Sequence, residues 1–154
     1  MKVGTRTAVL AVGLLGLAAG AAWAHGGATG IVKERMDAME DISQNVKTVG
    51  QMLKGTTAYD PAEVARAGSA IAAHAGDAMT GLFPEGSLQH PSEASPEIWA
   101  DWPKFSAYAV GLQSSALTLK DLAAQGAEQK AVAAAFGKVA ATCKTCHEAF
   151  RIKK

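Results

Sequence analysis

Two cysteines and a histidine close to the C-terminus have the spacing of a covalent cofactor site. The run is Cys143-Lys144-Thr145-Cys146-His147, and Cys-x-x-Cys-His is the attachment motif of c-type haem. Residues three positions apart share a helix face, so both thiols reach the two vinyl groups of one porphyrin and become thioethers. The next imidazole then lies beside the porphyrin plane, where it binds the iron. We predict one covalent haem c, held by Cys143 and Cys146, with His147 as the proximal iron ligand.

The same residues have two other known uses. A thiol–disulfide module places Cys-x-x-Cys at a helix N-terminus after a strand, where the helix dipole lowers the thiol pKa. No βαβ pattern precedes this motif, although a thiol redox module without haem stays open as an alternative. A zinc site would need a fourth ligand, and one helix does not easily present Cys143, Cys146 and His147 tetrahedrally.

The N-terminal segment has the pattern of a secretory signal peptide. A positively charged start precedes an apolar run at 8–21, and Ala22-Trp23-Ala24 forms a small-residue cleavage site. The run is short and rich in Gly and Ala for a membrane anchor, the alternative interpretation. We therefore predict a signal peptide at 1–24 and one haem-binding domain at 25–154, without a membrane span after cleavage. A periplasmic location agrees with the motif, because haem c is attached after export.

Charge and composition exclude several classes of function. The 154 residues carry a net charge of +1, so there is no bulk electrostatic case for nucleic-acid or membrane-surface binding. The basic residues at 151–154 suit a solvated helix C-terminus, with docking to an acidic partner as the alternative. No residue constellation indicates a catalytic acid–base pair, so we do not expect an enzyme.

The periodicity of the apolar residues is helical throughout, with no sustained alternation typical of strands. It predicts helices at 31–54, 61–80, 102–124 and from 128 to the tail, with the longest irregular connection at 82–95. Four amphipathic helices of this length predict an all-α fold, an antiparallel four-helix bundle. The haem motif then lies on the inner face of the C-terminal helix, where bundle cofactors are held between facing helices.

Three stretches together resemble a known family. They are Cys143-Lys144-Thr145-Cys146-His147-Glu148-Ala149-Phe150-Arg151 at the C-terminus, Arg35-Met36-Asp37-Ala38-Met39 in the first helix, and Phe83-Pro84 followed by Pro96-Glu97-Ile98-Trp99. On these residues the chain resembles the class II c-type cytochromes, the cytochrome c′ and cytochrome c-556 group. The resemblance covers essentially the whole chain after the signal peptide. It implies a periplasmic four-helix bundle with one haem c, usually a homodimer.

The resemblance also implies roles for residues away from the motif. It places Arg35 near a haem propionate and Met36 and Met39 at the cofactor, with Met39 as the candidate distal iron ligand. Arg151, one turn past His147, either keeps the proximal side electropositive and shields the imidazole or is simply a charge of the tail, and the sequence leaves both alternatives open. A haem in a small bundle contacts much of the core, so we also expect Phe83, Trp99 and Phe150 to line the macrocycle.

Two functions are compatible with this haem site. With Met39 and His147 both bound, the iron has no open axial position and suits electron transfer with periplasmic redox proteins. With Met39 unbound, five-coordinate iron faces an apolar pocket that admits NO or CO. We favour electron transfer and keep gas binding or scavenging as the alternative.

Overall fold

A computed structural model describes residues 26–152 of the chain. The signal peptide expected at 1–24 lies outside the described residues, as do His25, Lys153 and Lys154. The described part folds into four long helices, α1 Gly30–Leu53, α2 Pro61–Ala73, α5 Trp102–Ala124 and α6 Gln129–Phe150, and two short ones, α3 Asp77–Thr80 and α4 Glu97–Ala100. No helix among these residues is both long and apolar enough to cross a bilayer.

Aspartates mark the starts of two of the long helices. The Asp60 carboxylate accepts hydrogen bonds from the backbone N–H groups of Ala62, at 2.9 Å, and Glu63. Pro61 follows at the first helical position, where its missing N–H costs nothing. Asp101 caps α5 in the same way by accepting from the N–H of Lys104 at 3.3 Å. These local signals explain why both helix starts were predictable.

The four long helices pack in a ring, in which α1 neighbours α2, α2 neighbours α5, α5 neighbours α6, and α6 returns to α1. The α2–α5 interface is the most extensive, whereas α1 and α6 touch only sparingly. Fully buried aliphatic side chains from α1, α2, α4, α5 and α6 form the shared core: Val49, Val64, Ile71, Ile98, Leu119, Val132 and Val139. The predicted antiparallel four-helix bundle is confirmed, and the gap between α1 and α6 is where a cofactor has room.

The second helix is shorter than the sequence suggested. We expected it to continue to residue 80, but α2 ends at Ala73 and α3 begins only at Asp77. Gly76 lies between them with φ +60, and its N–H donates to the carbonyl of Ala109 at 3.0 Å. A Cβ at Gly76 would stand 2.6 Å from Oε1 of Gln113 on α5. The break therefore comes from the close approach to α5, a tertiary contact that local periodicity does not record.

The long connection between α3 and α4 is attached to the end of α6. The N–H of Ser95 donates to the carbonyl of Phe150 at 2.9 Å, and the N–H of Ile152 donates to the carbonyl of Glu93 at 2.8 Å. These two backbone bonds frame an isolated antiparallel bridge between Ala94 and Arg151. The irregular stretch expected at 82–95 is thus confirmed, and it closes one end of the space between α1 and α6.

Candidate functional site

A cavity of about 910 Å³ lies between α1 and α6 and is closed by α5 and the α3–α4 connection. Its size falls within the range of about 300–1,000 Å³ that is usual for ligand sites. Apolar side chains dominate its walls, and charged groups stand at a few positions. Three side chains of the haem motif line this one cavity together with Arg35, Met36 and Met39 of α1; they are those of Cys143, Cys146 and His147.

The wall from α6 carries the haem motif. Cys143 and Cys146 are free, half-buried thiols one helical turn apart, and both line the cavity. Burial raises the pKa of the Cys143 thiol. Burial and the charge of Cys143 together raise the pKa of Cys146 to about 11. Both thiols are therefore protonated at neutral pH, whereas catalytic redox cysteines have lowered pKa values. This disfavours the thiol redox module.

The imidazole of the motif is in the state that binds iron. His147 lines the cavity directly beside Cys146. Its partial burial lowers the pKa of the imidazole, and the positive charge of Arg151 lowers it further. A neutral imidazole with a free nitrogen lone pair is the form that coordinates a metal. Within residues 26–152, no three His, Cys, Asp or Glu side chains converge as a metal-binding cluster.

The wall from α1 carries Arg35 and both candidate methionines. Met36 and Met39 are half-buried and line the cavity, and Met39 also packs against the bundle core. Ile42 and Val46 continue the same helix face with the spacing of one stripe. The structure thus brings Met39 to the cavity that holds the motif. Iron ligation by Met39 stays a prediction.

Arg35 is the most buried charged residue of the site, with 5% of its surface exposed. Its Nη2 donates to the carbonyl and hydroxyl oxygens of Ser87, at 2.8 and 3.0 Å, and its Nη1 donates to Oγ of Ser92 at 3.4 Å. The guanidinium carbon lies 4.2 Å from the centre of the Phe83 ring. Burial lowers the pKa of Arg35. Its Nε–H is buried with no hydrogen-bond partner.

An aromatic wall closes the cavity opposite the solvent. Phe105 makes edge contacts with Phe83, at 4.9 Å between ring centres, and with Phe150 at 5.5 Å. Tyr108 adds a fourth ring, 6.1 Å from Phe150. The predicted Phe83 and Phe150 line the cavity, and so do Phe105 and Tyr108, which we did not expect there. In the sequence, only the helical spacing of these two residues along the apolar face of α5 indicated that they face the interior of the bundle.

Trp99 lies behind this wall rather than on it. Its side chain is half-buried and does not line the cavity. The indole N–H donates to the backbone carbonyl of Phe83 at 3.0 Å. Trp99 therefore supports the backbone of a lining residue, and contact of its ring with the macrocycle stays a prediction.

The α3–α4 connection and the residues after α6 complete the rim of the cavity. Arg151 forms an ion pair with Glu93 and donates from Nε to the same carboxylate oxygen at 2.8 Å. Arg151 therefore joins the end of α6 to the α3–α4 connection at the rim of the cavity, where it lies beside His147, and it is not a free charge of the tail. His90 also lines the cavity. The sequence offered no partner spacing that would have identified it.

These residues fit a covalent haem on four separate observations. Two unbonded thiols stand one turn apart on a cavity wall, and a neutral imidazole follows them. The surrounding walls are apolar and aromatic, which suits a flat macrocycle. A buried guanidinium on the same cavity keeps one N–H without an acceptor, which suits a propionate carboxylate.

Comparisons with known proteins give the same assignment. The profile of the family described as Cytochrome C′ matches residues 30–151. Cytochrome c-556 from Agrobacterium fabrum is 34% identical over 154 residues, which cover 100% of this chain and 99% of that protein. Cytochrome c′ from Rhodopseudomonas palustris is 33% identical over 145 residues, 92% of this chain and 93% of that protein.

Solved structures share the fold. Cytochrome c′ from Rhodopseudomonas palustris superposes with a TM-score of 0.75 at 29% identity, covering 82% of this chain and 99% of that one. A cytochrome c′ with ligand-controlled dimer dissociation gives 0.73 at 31% identity, covering 80% and 95%. A nitric oxide complex of a mutant cytochrome c prime from Alcaligenes xylosoxidans gives 0.71 at 29% identity, covering 80% and 94%. With its C-terminal haem motif and its four-helix bundle, the chain belongs to the cytochrome c′ family, whose cofactor is covalently bound haem c with iron.

Proposed function

We propose that the chain is a periplasmic monohaem cytochrome that transfers electrons, with His147 as proximal ligand and Met39 as distal ligand. The observation that carries this proposal is the position of Met39 on the α1 wall of the cavity whose α6 wall carries Cys143, Cys146 and His147. When bound, haem c supplies an iron that cycles between the ferrous and ferric states. A thioether and an imidazole as axial ligands raise the reduction potential and suit outer-sphere electron transfer.

The protein side of this function is positioning and exclusion of water. Cys143 and Cys146 are neutral thiols that would add to the vinyl groups of the cofactor and hold it to α6 as thioethers, and His147 would offer its lone pair next to them. The rings of Phe83, Phe105 and Phe150 make the interior side of the cavity apolar. No catalytic acid or base takes part in one-electron transfer, so this function does not require an enzyme active site.

Gas binding is the second candidate. The cavity that Met39 lines is also lined by the apolar side chains of Ile42, Val46 and Leu112. A small diatomic ligand needs such an apolar space if Met39 does not bind the iron. One protein of similar structure is known as a nitric oxide complex. The five-coordinate form would bind or scavenge NO- or CO-type gases.

The visible spectrum of the reduced protein with and without CO separates the two functions. Electron transfer with Met39 bound predicts a low-spin ferrous spectrum that CO does not change. Met39→Leu, which keeps the apolar volume, then makes the iron high-spin and able to bind CO. Met36→Leu is the matched control on the same helix and leaves the spectrum low-spin. A wild-type ferrous spectrum that is high-spin and converted by CO would contradict ligation by Met39 and support gas binding.

The location follows from the predicted signal peptide. Export through residues 1–24 would leave a mature chain starting at His25, and the relatives above come from bacteria. Fractionation of cells that make the native chain should place the haem protein in the periplasm, cleaved after Ala24. An uncleaved chain in the cytoplasmic fraction would contradict this part of the proposal.

The proposed partners are periplasmic redox proteins and a second copy of the chain. The dimer is supported by the similar cytochrome c′ whose dimer dissociates under ligand control. Analytical ultracentrifugation of the haem-loaded protein should show a dimer. A monomer over the whole concentration range would contradict it.

A further inference from the structure

The connection between α3 and α4 folds around the guanidinium of Arg35. The Ser87 side chain is almost fully buried, with 5% exposed, and its hydroxyl donates to the carbonyl of Pro84 at 2.7 Å. The carbonyl and hydroxyl oxygens of Ser87 both accept from Nη2 of Arg35, at 2.8 and 3.0 Å. Ser92, five residues further on, accepts from Nη1 at 3.4 Å. Both terminal nitrogens of the guanidinium are therefore held from one side by one loop.

These hydrogen bonds orient the guanidinium without neutralising it. All three acceptors are uncharged oxygens, and the ring of Phe83 packs against the guanidinium face at 4.2 Å. A buried cation is costly unless an anion pairs with it. The Nε–H of Arg35 is buried and has no acceptor, which adds the cost of an unsatisfied donor. One anionic oxygen of a group bound in the cavity would both pair with the buried charge and accept the hydrogen bond of the Nε–H.

We propose that Ser87 and Ser92 are positioning residues that fix Arg35 so that its Nε–H remains available to a carboxylate of the haem. The inference rests on the proposed haem site and adds to it residues more than fifty positions away from Arg35. Both serines contact the guanidinium, and Ser92 also lines the cavity, whereas Ser87 does not. Their effect on the haem passes through the orientation of one cation.

A fixed cation at this position has an electrostatic consequence. A positive charge disfavours the ferric state, which carries one more positive charge than the ferrous state, and thereby raises the reduction potential. It also favours the ionised form of the carboxylate that it contacts, which lowers the pKa of that carboxylate. Loss of both serine hydroxyls removes two of the three acceptors and leaves only the carbonyl of residue 87, so the guanidinium is held less firmly and both effects weaken.

The test compares haem-loaded wild-type protein with S87A, S92A and the double variant. The first readout is exchange with water of the Arg35 Nε–H, followed by nuclear magnetic resonance. We expect slow exchange in the wild type and at least tenfold faster exchange in the double variant. The second readout is the midpoint potential as a function of pH. The double variant should have a lower potential, with its pH-dependent region moved to higher pH.

Two matched variants separate positioning from general damage to the loop. Ser95→Ala removes a hydroxyl from the same connection, where it accepts from the N–H of Glu97 and does not contact Arg35. This variant should keep the wild-type exchange rate and potential. Ser87→Thr retains the hydroxyl and should restore slow exchange relative to S87A.

The outcomes distinguish the role of the two serines from the presence of the haem itself. Wild-type exchange and wild-type potential in a double variant with an intact haem spectrum would overturn the role of Ser87 and Ser92. Where the double variant does not accumulate, Ser92→Ala alone should change both readouts in the same direction, and no change would overturn the role of Ser92. A wild-type chain that carries no haem would instead contradict the proposed function, and the two failures are therefore distinguishable.

Discussion

The close approach of α2 to α5 at Gly68 predicts that a glycine-to-alanine substitution inside a helix, which usually stabilises a protein, destabilises this one. Gly68 lies in α2 at its interface with α5, and a Cβ at this position would stand 2.9 Å from both the carbonyl oxygen of Ala116 and the amide nitrogen of Lys120. Real Cβ atoms essentially never approach other atoms so closely. Both obstacles are backbone atoms of α5, so the clash cannot be relieved by a side-chain rotation. The two helices would have to separate.

The magnitude follows from two opposing effects of Gly68→Ala. Replacing glycine by alanine inside a helix gains about 0.5–1 kcal/mol, because the unfolded chain loses less freedom. Overpacking a close interface costs about 1–3 kcal/mol. Since the obstacles are backbone atoms, we take the upper half of this cost, about 2–3 kcal/mol. After subtraction of the helix-propensity gain, we expect a net loss of about 1–2.5 kcal/mol in the free energy of unfolding.

Gly111→Ala on α5 is the matched control. A Cβ at Gly111 meets no atom within 4 Å, so only the helix-propensity gain remains. We expect this variant to be more stable than wild type by about 0.5–1 kcal/mol. The assay is urea unfolding of the three haem-loaded proteins, followed by far-ultraviolet circular dichroism. If Gly68→Ala stabilises the protein as much as Gly111→Ala does, the close α2–α5 approach is wrong.

Three further predictions concern the walls of the cavity. Phe150→Ala removes a buried ring and should lower the free energy of unfolding by about 3–5 kcal/mol in urea titrations; a loss under 1 kcal/mol would contradict its burial. Glu93→Gln should lower the free energy of unfolding by less than about 1 kcal/mol, because the Arg151 side chain of this ion pair is about half exposed to solvent, and a double-mutant cycle with Arg151→Gln measures the coupling. The third prediction concerns a haem-free chain that retains its helical circular dichroism. Because the pKa of Cys146 is about 11, iodoacetamide should modify this thiol about 100-fold more slowly at pH 8 than a cysteine of ordinary pKa, and the rate should increase with pH up to that value. A rate equal to that of an ordinary cysteine would contradict the burial of this thiol.

Much of the fold could be predicted because its signals are local. Asp60 and Asp101 cap their helices through bonds to nearby backbone N–H groups, and apolar residues at helical spacing place α1, α5 and α6 within one or two residues of the predicted bounds. The haem motif likewise needs only neighbouring residues on one helix. The position of α6 in the bundle then follows from which face is apolar.

The errors and omissions arise where distant segments meet. The break at Gly76 depends on Ala109 and Gln113 of α5, more than thirty residues away. The path of the α3–α4 connection decides that His90 lines the cavity and that Trp99 does not. No periodicity within the connection carries this information. The binding of Arg35 by Ser87 and Ser92 is of the same kind, because it joins residues over fifty positions apart.

The most direct test of the haem assignment is mass spectrometry of a proteolytic digest of the mature protein. The peptide that contains Cys143 and Cys146 should carry the mass of one haem, and neither sulfur should react with an alkylating reagent after unfolding and reduction. A digest in which both cysteines are alkylated, and no peptide carries haem, would contradict the covalent site on which the proposed electron transfer depends.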